Sequence, residues 1–422
     1  MSQLFRKIIN IIPYVFFVIF PAHLLADEAK SDGGIEIYNP QNGDYWFKMH
    51  GIIQVDATIF SGGHEDKQTD FPSGTNVRGL ELDLEGGIGH DLSYSIALAL
   101  DNGVGVNDAY FTYHAYDHLD VSLGQVISPF CLENTNSGKW LPFLERSLPV
   151  VAFRPCLGIG GRIQNWGDDY SFALAVTTPL HGTNKDKTVS GTSIMHRSDR
   201  LTTTGRLTFA PILTDEQVIQ IGGSAVYGDT NTQFRDGSPN VDGRRFSTPP
   251  EAKARNTFSL VNSGNNLLVR HYSVLGAEAG GLFGHLLLQA EYLHTFLTRD
   301  DLPHAQFHGW YAQGAYVLTG EMREYKAKDG KFGAVKPRCW YGAWEVGARF
   351  STVNLNDKDI LGGKEHNTTL GLNWFFNKNL RISGDYIFAS ITPSQALSLP
   401  SLTFLPNKRH LHIVGLRTQV VW

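Results

Sequence analysis

Residues 92–101 read Leu92-Ser93-Tyr94-Ser95-Ile96-Ala97-Leu98-Ala99-Leu100-Asp101, large apolar alternating with small or polar. Successive side chains on a strand point to opposite faces, so this segment has one greasy face and one small, polar face. The same pattern recurs further along. Phe172, Leu174 and Val176 alternate with Ser171, Ala173, Ala175 and Thr177, and Leu370, Leu372 and Trp374 with Thr369, Gly371 and Asn373. Sixteen such segments can be counted from about residue 46 to the last residue. A soluble sandwich would bury large aliphatics on its inner face. Large residues on one face and Ser, Thr, Gly, Ala and charges on the other instead suit a closed sheet, with lipid outside and water inside. The expected fold is all-β: a transmembrane antiparallel β-barrel of about 16 strands.

The chain end follows the pattern. Val420, Thr418, Leu416, Val414 and His412 precede Trp422 at every second position, with Gln419 and Arg417 on the other face. Termini of soluble domains are usually frayed and polar, so an aromatic closing an alternating strand argues for a barrel seam. The connections also alternate. Ile88–His90, Tyr116–His118, Gly167–Asp168 and Phe376–Lys378 are short; Pro129–Pro155, Pro179–Ser198, Gly228–Asn265 and Ile391–Lys408 are long. Short turns on one side and long loops on the other are the organisation of outer-membrane barrels. The connection 321–337 breaks the rule, being long on the side of the short turns.

The N-terminus reads as a secretory signal over residues 1–26. Arg6 and Lys7 precede an apolar run from Ile8 to Phe20, and Ala22 to Ala26 offers a cleavage region. The run is too short for a membrane-spanning helix. A short periplasmic segment, 27–45, is expected between it and the barrel, 46–422. With a formal charge of −5, the chain lacks the basic footprint of a nucleic-acid binder. Three cysteines are too few for a disulfide scaffold.

Three stretches carry a resemblance. Trp310-Tyr311-Ala312-Gln313-Gly314-Ala315-Tyr316-Val317-Leu318-Thr319-Gly320-Glu321, with Tyr325, Gly330-Lys331-Phe332-Gly333 and Lys336-Pro337, is the longest. The second is Gly342-Ala343-Trp344-Glu345-Val346-Gly347-Ala348-Arg349-Phe350-Ser351, followed by Gly371-Leu372-Asn373-Trp374-Phe375. Upstream, Gly124-Gln125 leads to Pro129-Phe130-Cys131-Leu132-Glu133 and Glu145-Arg146-Ser147. Together they resemble the phosphate-selective porin O and P family, from about residue 46 to 422. The resemblance implies a sixteen-stranded barrel, a homotrimer, and the outer membrane of a Gram-negative bacterium, with its lipid and lipopolysaccharide around it. It implies passive diffusion of small hydrophilic solutes and ions such as phosphate. It also implies that the segment at about 129–155 folds into the pore as a constriction loop.

By parity the inward basic residues are Arg162, Arg206, Arg349, Arg381 and Arg417, to which the loop adds Lys139, Arg146 and Arg154. A charge on the lipid face near mid-bilayer costs about 2–4 kcal/mol, so the lumen is their natural home. There they would either draw anions or pair with wall acids. Glu345 and Arg349, four apart on one face, are expected in a wall network with Glu291, Asp385 and Glu278. The inward acids include Glu81, Asp83, Glu85, Asp101, Asp108, Glu291, Glu345 and Asp385. Where the family is rich in arginine at the second strand, this chain reads Arg78-Gly79-Leu80-Glu81-Leu82. A general or cation-preferring channel is therefore the alternative to an anion-preferring one. Cys131 and Cys156 bracket the proposed loop and are a candidate disulfide pair, on condition that their Cα atoms come within about 7 Å; Cys339 has no evident partner. None of the sixteen histidines lies in a nucleophile or zincin motif, so neither catalytic residues nor a metal or cofactor are expected. About twenty residues before the first strand leave no room for the plug of an energy-coupled transporter.

Overall fold

The computed structural model describes residues 29–30, 35–38, 45–62, 73–101, 103–179, 199–230, 234–235, 238–239, 244–253, 259–264, 267–395 and 408–422. The expected signal segment lies outside the described residues. Sixteen strands form the wall: β1 Tyr45–Ser61, β2 Gly74–Ile88, β3 Leu92–Ala99, β4 Gly105–Tyr116, β5 Leu119–Val126, β6 Gly158–Trp166, β7 Tyr170–Pro179 and β8 Asp199–Leu213. The second half is β9 Gln217–Thr230, β10 Val269–Phe283, β11 Leu286–Arg299, β12 Ala305–Val317, β13 Ala343–Asp357, β14 Ile360–Phe375, β15 Leu380–Thr392 and β16 Arg409–Val421. Each pairs antiparallel with its sequence neighbours. The seam closes between β16 and β1, from His412 opposite Ser61 to Val421 opposite Ile52. A short strand, Ile35–Tyr38, adds to the free half of β1, with Ile35 opposite Met49.

Closure satisfies every strand edge, which hydrocarbon demands because it offers no water to unpaired backbone groups. The outward face is as greasy as the alternation predicts: Ile59, Leu123, Leu207, Leu370 and Leu416 are all exposed. With an even strand number both ends of the barrel chain lie at the short-turn, periplasmic end.

Two expectations need correction. The alternation of loop lengths fails at β13–β14, a long hairpin closed at the outer end by Lys358 and Asp359 alone. The inner face is also not uniformly small and polar. On β9–β16, Val226, Tyr272, Val274, Leu293, Leu297, Phe307, Tyr311, Val353, Ile387 and Ile413 point inward and are buried. They pack on Phe130, Leu148, Val150 and Phe153 of the 127–157 connection and on Phe246 and Leu260 of the 231–268 connection. Inward apolar side chains are thus covered by loops that fold into the barrel, giving the upper half an internal core.

Candidate functional site

The 127–157 connection carries the helices α1, Leu132–Thr135, and α2, Leu148–Phe153, with Pro149 in the first turn of the second. Proline costs little there, since that N–H has no partner within a helix. The wall holds this loop mostly by its backbone. The N–H groups of Leu132 and Glu133 donate to the Glu291 carboxylate at 2.9 and 2.7 Å, and the Tyr311 hydroxyl donates to the same group at 2.6 Å. Leu144 N–H donates to Asp385 at 2.8 Å. Asn373 donates to the Pro142 carbonyl, Arg381 to that of Leu141 and Arg417 to that of Leu144, each at 2.7 Å.

Those contacts set the state of the parity arginines. All five lie on the inner face, but Arg206, Arg349, Arg381 and Arg417 are at most 5% exposed. Arg206 forks onto Glu278 at 3.0 and 2.6 Å. Arg417 forks onto Asp56 at 2.7 and 2.8 Å. Arg349 meets Glu251 at 2.9 Å and Glu133 at 3.3 Å. Arg162 is half-buried, its guanidinium 5.5 Å from the Tyr110 ring. The expected wall network is corrected accordingly. Glu345 is bound by Arg323 at 2.7 Å and by Asn373 at 2.9 Å, not by Arg349. The physical reason is that the charged partners, Arg323 for Glu345 and Glu251 and Glu133 for Arg349, come from segments folded inward, which parity along a strand does not register.

Apart from half-buried Arg78 and Arg162 of the wall, the cations that face the lumen belong to the loops. Arg154 is exposed, and Arg146 is half-buried while donating to the carbonyls of Glu133 and Asn136. Arg78 sits inward at a bulge of β2 and grips Glu145, one of its two contacts measuring 2.9 Å. Arg417 also reaches Glu145, at 3.2 Å, and the Lys253 ammonium lies 4.0 Å from the same carboxylate. Burial favours the neutral acid, but these cations, Arg78 foremost, hold Glu145 well below the usual carboxylate range. For Lys253 the attraction of Glu145 is outweighed by burial and by Arg78, Arg154 and Arg146, which bring it down to about 8. Lys253 lies in the 231–268 connection, whose length is its one signal in the sequence.

Acids line the wall nearby. Glu81, Asp83 and Glu85 follow one another on the inner face of β2, with Asp108 on β4, and all four are half-buried. Asp83 takes Lys139 at 2.7 Å and His50 at 3.2 Å. Asn107 donates to Glu81 at 3.2 Å. Asp101 lies just beyond β3, in the outer connection to β4. The lumen therefore presents loop cations beside wall acids.

The anomalous 318–342 connection turns inward at the periplasmic end. It forms a hairpin of Arg323–Lys326 and Lys331–Val335. Arg206 donates to the carbonyls of Asp329 and Gly330, each at 2.8 Å, and Lys328 reaches Asp120 at 2.6 Å. A Cβ at Gly280 of β10 would lie 2.6 Å from the Phe332 ring, so the hairpin's seat needs glycine there. The candidate disulfide is not formed, and all three cysteines are free. Cys131 packs into the internal core, while the Cys156 sulfur accepts from Arg244 at 3.0 Å.

Comparison with known proteins agrees with this geometry. A model of the family described as phosphate-selective porin O and P matches residues 47–422. Porin O of Pseudomonas aeruginosa is 28% identical over 391 residues, covering 85% of this chain and 86% of that one. An uncharacterised protein of Caulobacter vibrioides is 27% identical, over 82% of this chain and 69% of its own. Among solved structures, an anion-selective porin from Comamonas acidovorans superposes with TM-score 0.51 at 12% identity, over 89% of this chain and 99% of that one. The outer-membrane channel DcaP of Acinetobacter baumannii gives 0.51 at 10% identity, over 92% and 99%. A loop-deletion form of OmpT, an outer-membrane protein of Vibrio cholerae, gives 0.53 at 10% identity, over 90% and 100%.

Proposed function

As the chain belongs to the phosphate-selective porin O and P family, we propose that its channel prefers small anions, phosphate among them, and acts as a homotrimer without a catalytic step. That the protein is a channel of the Gram-negative outer membrane follows from family and fold together. The observation that carries the anion preference is the cluster of Arg78, Arg146, Arg154 and Lys253 around Glu145. With Arg417 and its partner Asp56 counted, five cations stand against two acids, and the positive excess beside the inward loop raises the local concentration of anions. The buried wall arginines support the loop's seat rather than the conduction path. Mature-chain domain limits, the constriction role of 129–155 and the pore-lining roles of Lys139, Arg146, Arg154 and Arg162 belong to the same proposal.

A second reading rests on Glu81, Asp83, Glu85 and Asp108, which give the wall beside the cluster a negative stretch. If they line the narrowest ring, the channel passes cations or is unselective. Reversal potentials in planar bilayers under a salt gradient separate the two readings. The expected sign is that of anion preference, with phosphate reducing the chloride current. Charge reversal by Lys139→Glu with Arg154→Glu should move the potential toward cations; an unmoved potential would remove both residues from the selecting ring.

A further inference from the structure

Three polar side chains of the inner wall meet end to end near the periplasmic mouth. Ser93 is the second residue of β3, His114 the third from the end of β4 and Asp120 the second of β5. Adjacent strands bring them together. Ser93 stands opposite Thr112, two residues before His114, and His114 stands opposite Asp120. The Ser93 hydroxyl lies 3.0 Å from His114 Nε2, and His114 Nδ1 lies 2.6 Å from the Asp120 carboxylate. The other oxygen of that carboxylate accepts from the Lys328 ammonium of the periplasmic hairpin at 2.6 Å. Asp120 is buried, while the His114 side chain is 38% exposed on the lumen side.

The partners fix the tautomer. An ionised carboxylate only accepts, so Nδ1 carries the proton and donates to Asp120. Nε2 is then a bare lone pair, and the Ser93 hydroxyl donates to it. In this order an imidazole can take the serine proton as the oxygen attacks, while the carboxylate holds the ring and stabilises its charged form. Other wall hydroxyls lack such a base, as where Thr112 meets Ser122 at 2.9 Å. No sequence motif marks the trio, because its members come from three strands.

A donor for the oxyanion of such a reaction stands on the neighbouring strands. Trp46 of β1 is opposite Gly87 of β2, and Gly87 is opposite Ser93. A Cβ on Gly87 would come 2.1 Å from Trp46 Nε1, so the indole N–H fills the side-chain space beside Ser93. Opposed Cβ positions are about 4.5–5.5 Å apart, within reach of an acyl oxygen carried on the serine. The indole is a donor only, and among the described residues it meets no acceptor. An oxyanion would supply one.

We propose that Ser93, His114 and Asp120 form a hydrolytic triad that cleaves short carboxylic esters in the lumen. The inference goes beyond conduction, which needs no catalytic step, and rests on the barrel's geometry rather than its ion preference. Ser93 Oγ attacks the carbonyl carbon while its proton passes to His114 Nε2. The tetrahedral oxyanion forms toward the Trp46 N–H. Its collapse breaks the bond to the alkoxy oxygen, which leaves as an alcohol with the proton from Nε2. Water then attacks the acyl-serine and gives a proton to Nε2. The acid departs as Ser93 Oγ takes that proton back. Asp120 and Lys328 are positioning residues, one for the ring and the other for the carboxylate. Short esters are the class because the substrate must enter a lumen into which the 127–157 connection folds.

The test uses the purified full-length barrel. It is treated with a fluorophosphonate, which labels activated serines, and its peptides are read by mass spectrometry. Turnover of 4-nitrophenyl butyrate is followed in parallel. Label on Ser93 and hydrolysis above the buffer rate are expected. Ser93→Ala should lose both, and His114→Gln should cut turnover at least about a hundredfold, the share of a general base. Asp120→Asn should lower kcat with KM little changed, since it spoils the tautomer without touching substrate. An unlabelled Ser93 in the native barrel, or equal turnover by native protein and Ser93→Ala, would overturn the proposal and leave the trio as a chain of wall hydrogen bonds. Variants are scored only where they keep the heat-sensitive gel migration of a folded barrel. Should none fold, the site of label on the native protein decides.

Discussion

Lys253 carries a charge that its surroundings make conditional. Glu145 stabilises its ammonium, but burial and three guanidiniums outweigh that and bring it down to about 8. Below that pH it is charged and adds to the positive field; above it the charge is lost. Anion preference should therefore decline between pH 7 and 9, read as a falling reversal potential, while Lys253→Gln should show a lower preference with no such step. A step that survives in the variant would assign the titration to another group. At this scale the sequence was legible in direction and not in partnership. Parity on β8, β13, β15 and β16 put Arg206, Arg349, Arg381 and Arg417 inward, as they are. It could not reveal that Arg349 meets Glu251 or that Arg323 meets Glu345, since each contact joins the wall to a distant connection. Lys253 had no pattern to stand in, because a loop lacks the period that makes a strand readable.

At the scale of elements, the inward loop is fastened by charges more than by grease alone. Glu291 gathers two backbone N–H groups and the Tyr311 hydroxyl, and Asp385 takes Leu144 N–H. Hydrogen bonds to charged groups contribute about 1.5–3 kcal/mol each. Glu291→Gln with Asp385→Asn should thus loosen the 127–157 loop without opening the wall, which is held by backbone pairing. Trypsin should cut the double variant at Lys139 or Arg146 and leave the native barrel whole, and channel current should become noisier. Equal resistance to trypsin would show that the apolar packing of Leu148, Val150 and Phe153 suffices. The periplasmic hairpin teaches the same lesson about legibility. Its length at 321–337 stood out in the sequence as a breach of the turn rule, but only the seat formed by Arg206, Lys328 and Gly280 shows that it turns inward. The apolar inner faces of β9–β16 misled for a related reason, as binary patterning assumes that a barrel's inside is water.

For the molecule as a whole, everything depends on the seam, where the last strand must find the first across the full length of the chain. The sequence announced this strand by its alternation and its closing Trp422, and the register confirms the pairing of β16 with β1. The lock lies just past the last strand residue. Gly51 N–H donates to the Trp422 carbonyl at 3.1 Å, and Trp422 N–H returns a bond to Gly51 at 3.2 Å. The indole then lies over Gly51 itself, since a Cβ there would come 2.5 Å from the Trp422 ring and 2.7 Å from the Glu81 carbonyl. The wall backbone at Glu81 cannot yield that much without breaking register, and the indole would have to swing away from its seat over Gly51. Gly51→Val should hinder closure more than any later step, because an open sheet leaves two unpaired edges in hydrocarbon, each group costing several kcal/mol. Refolding into detergent micelles should give mostly the unfolded, slow-migrating band on unheated gels, with Gly51→Ala intermediate. Restoring space with Gly51→Val/Trp422→Ala should recover part of the folded band. If the double variant folds no better than the single one, the clash is with Glu81 and the indole is not what the glycine makes room for.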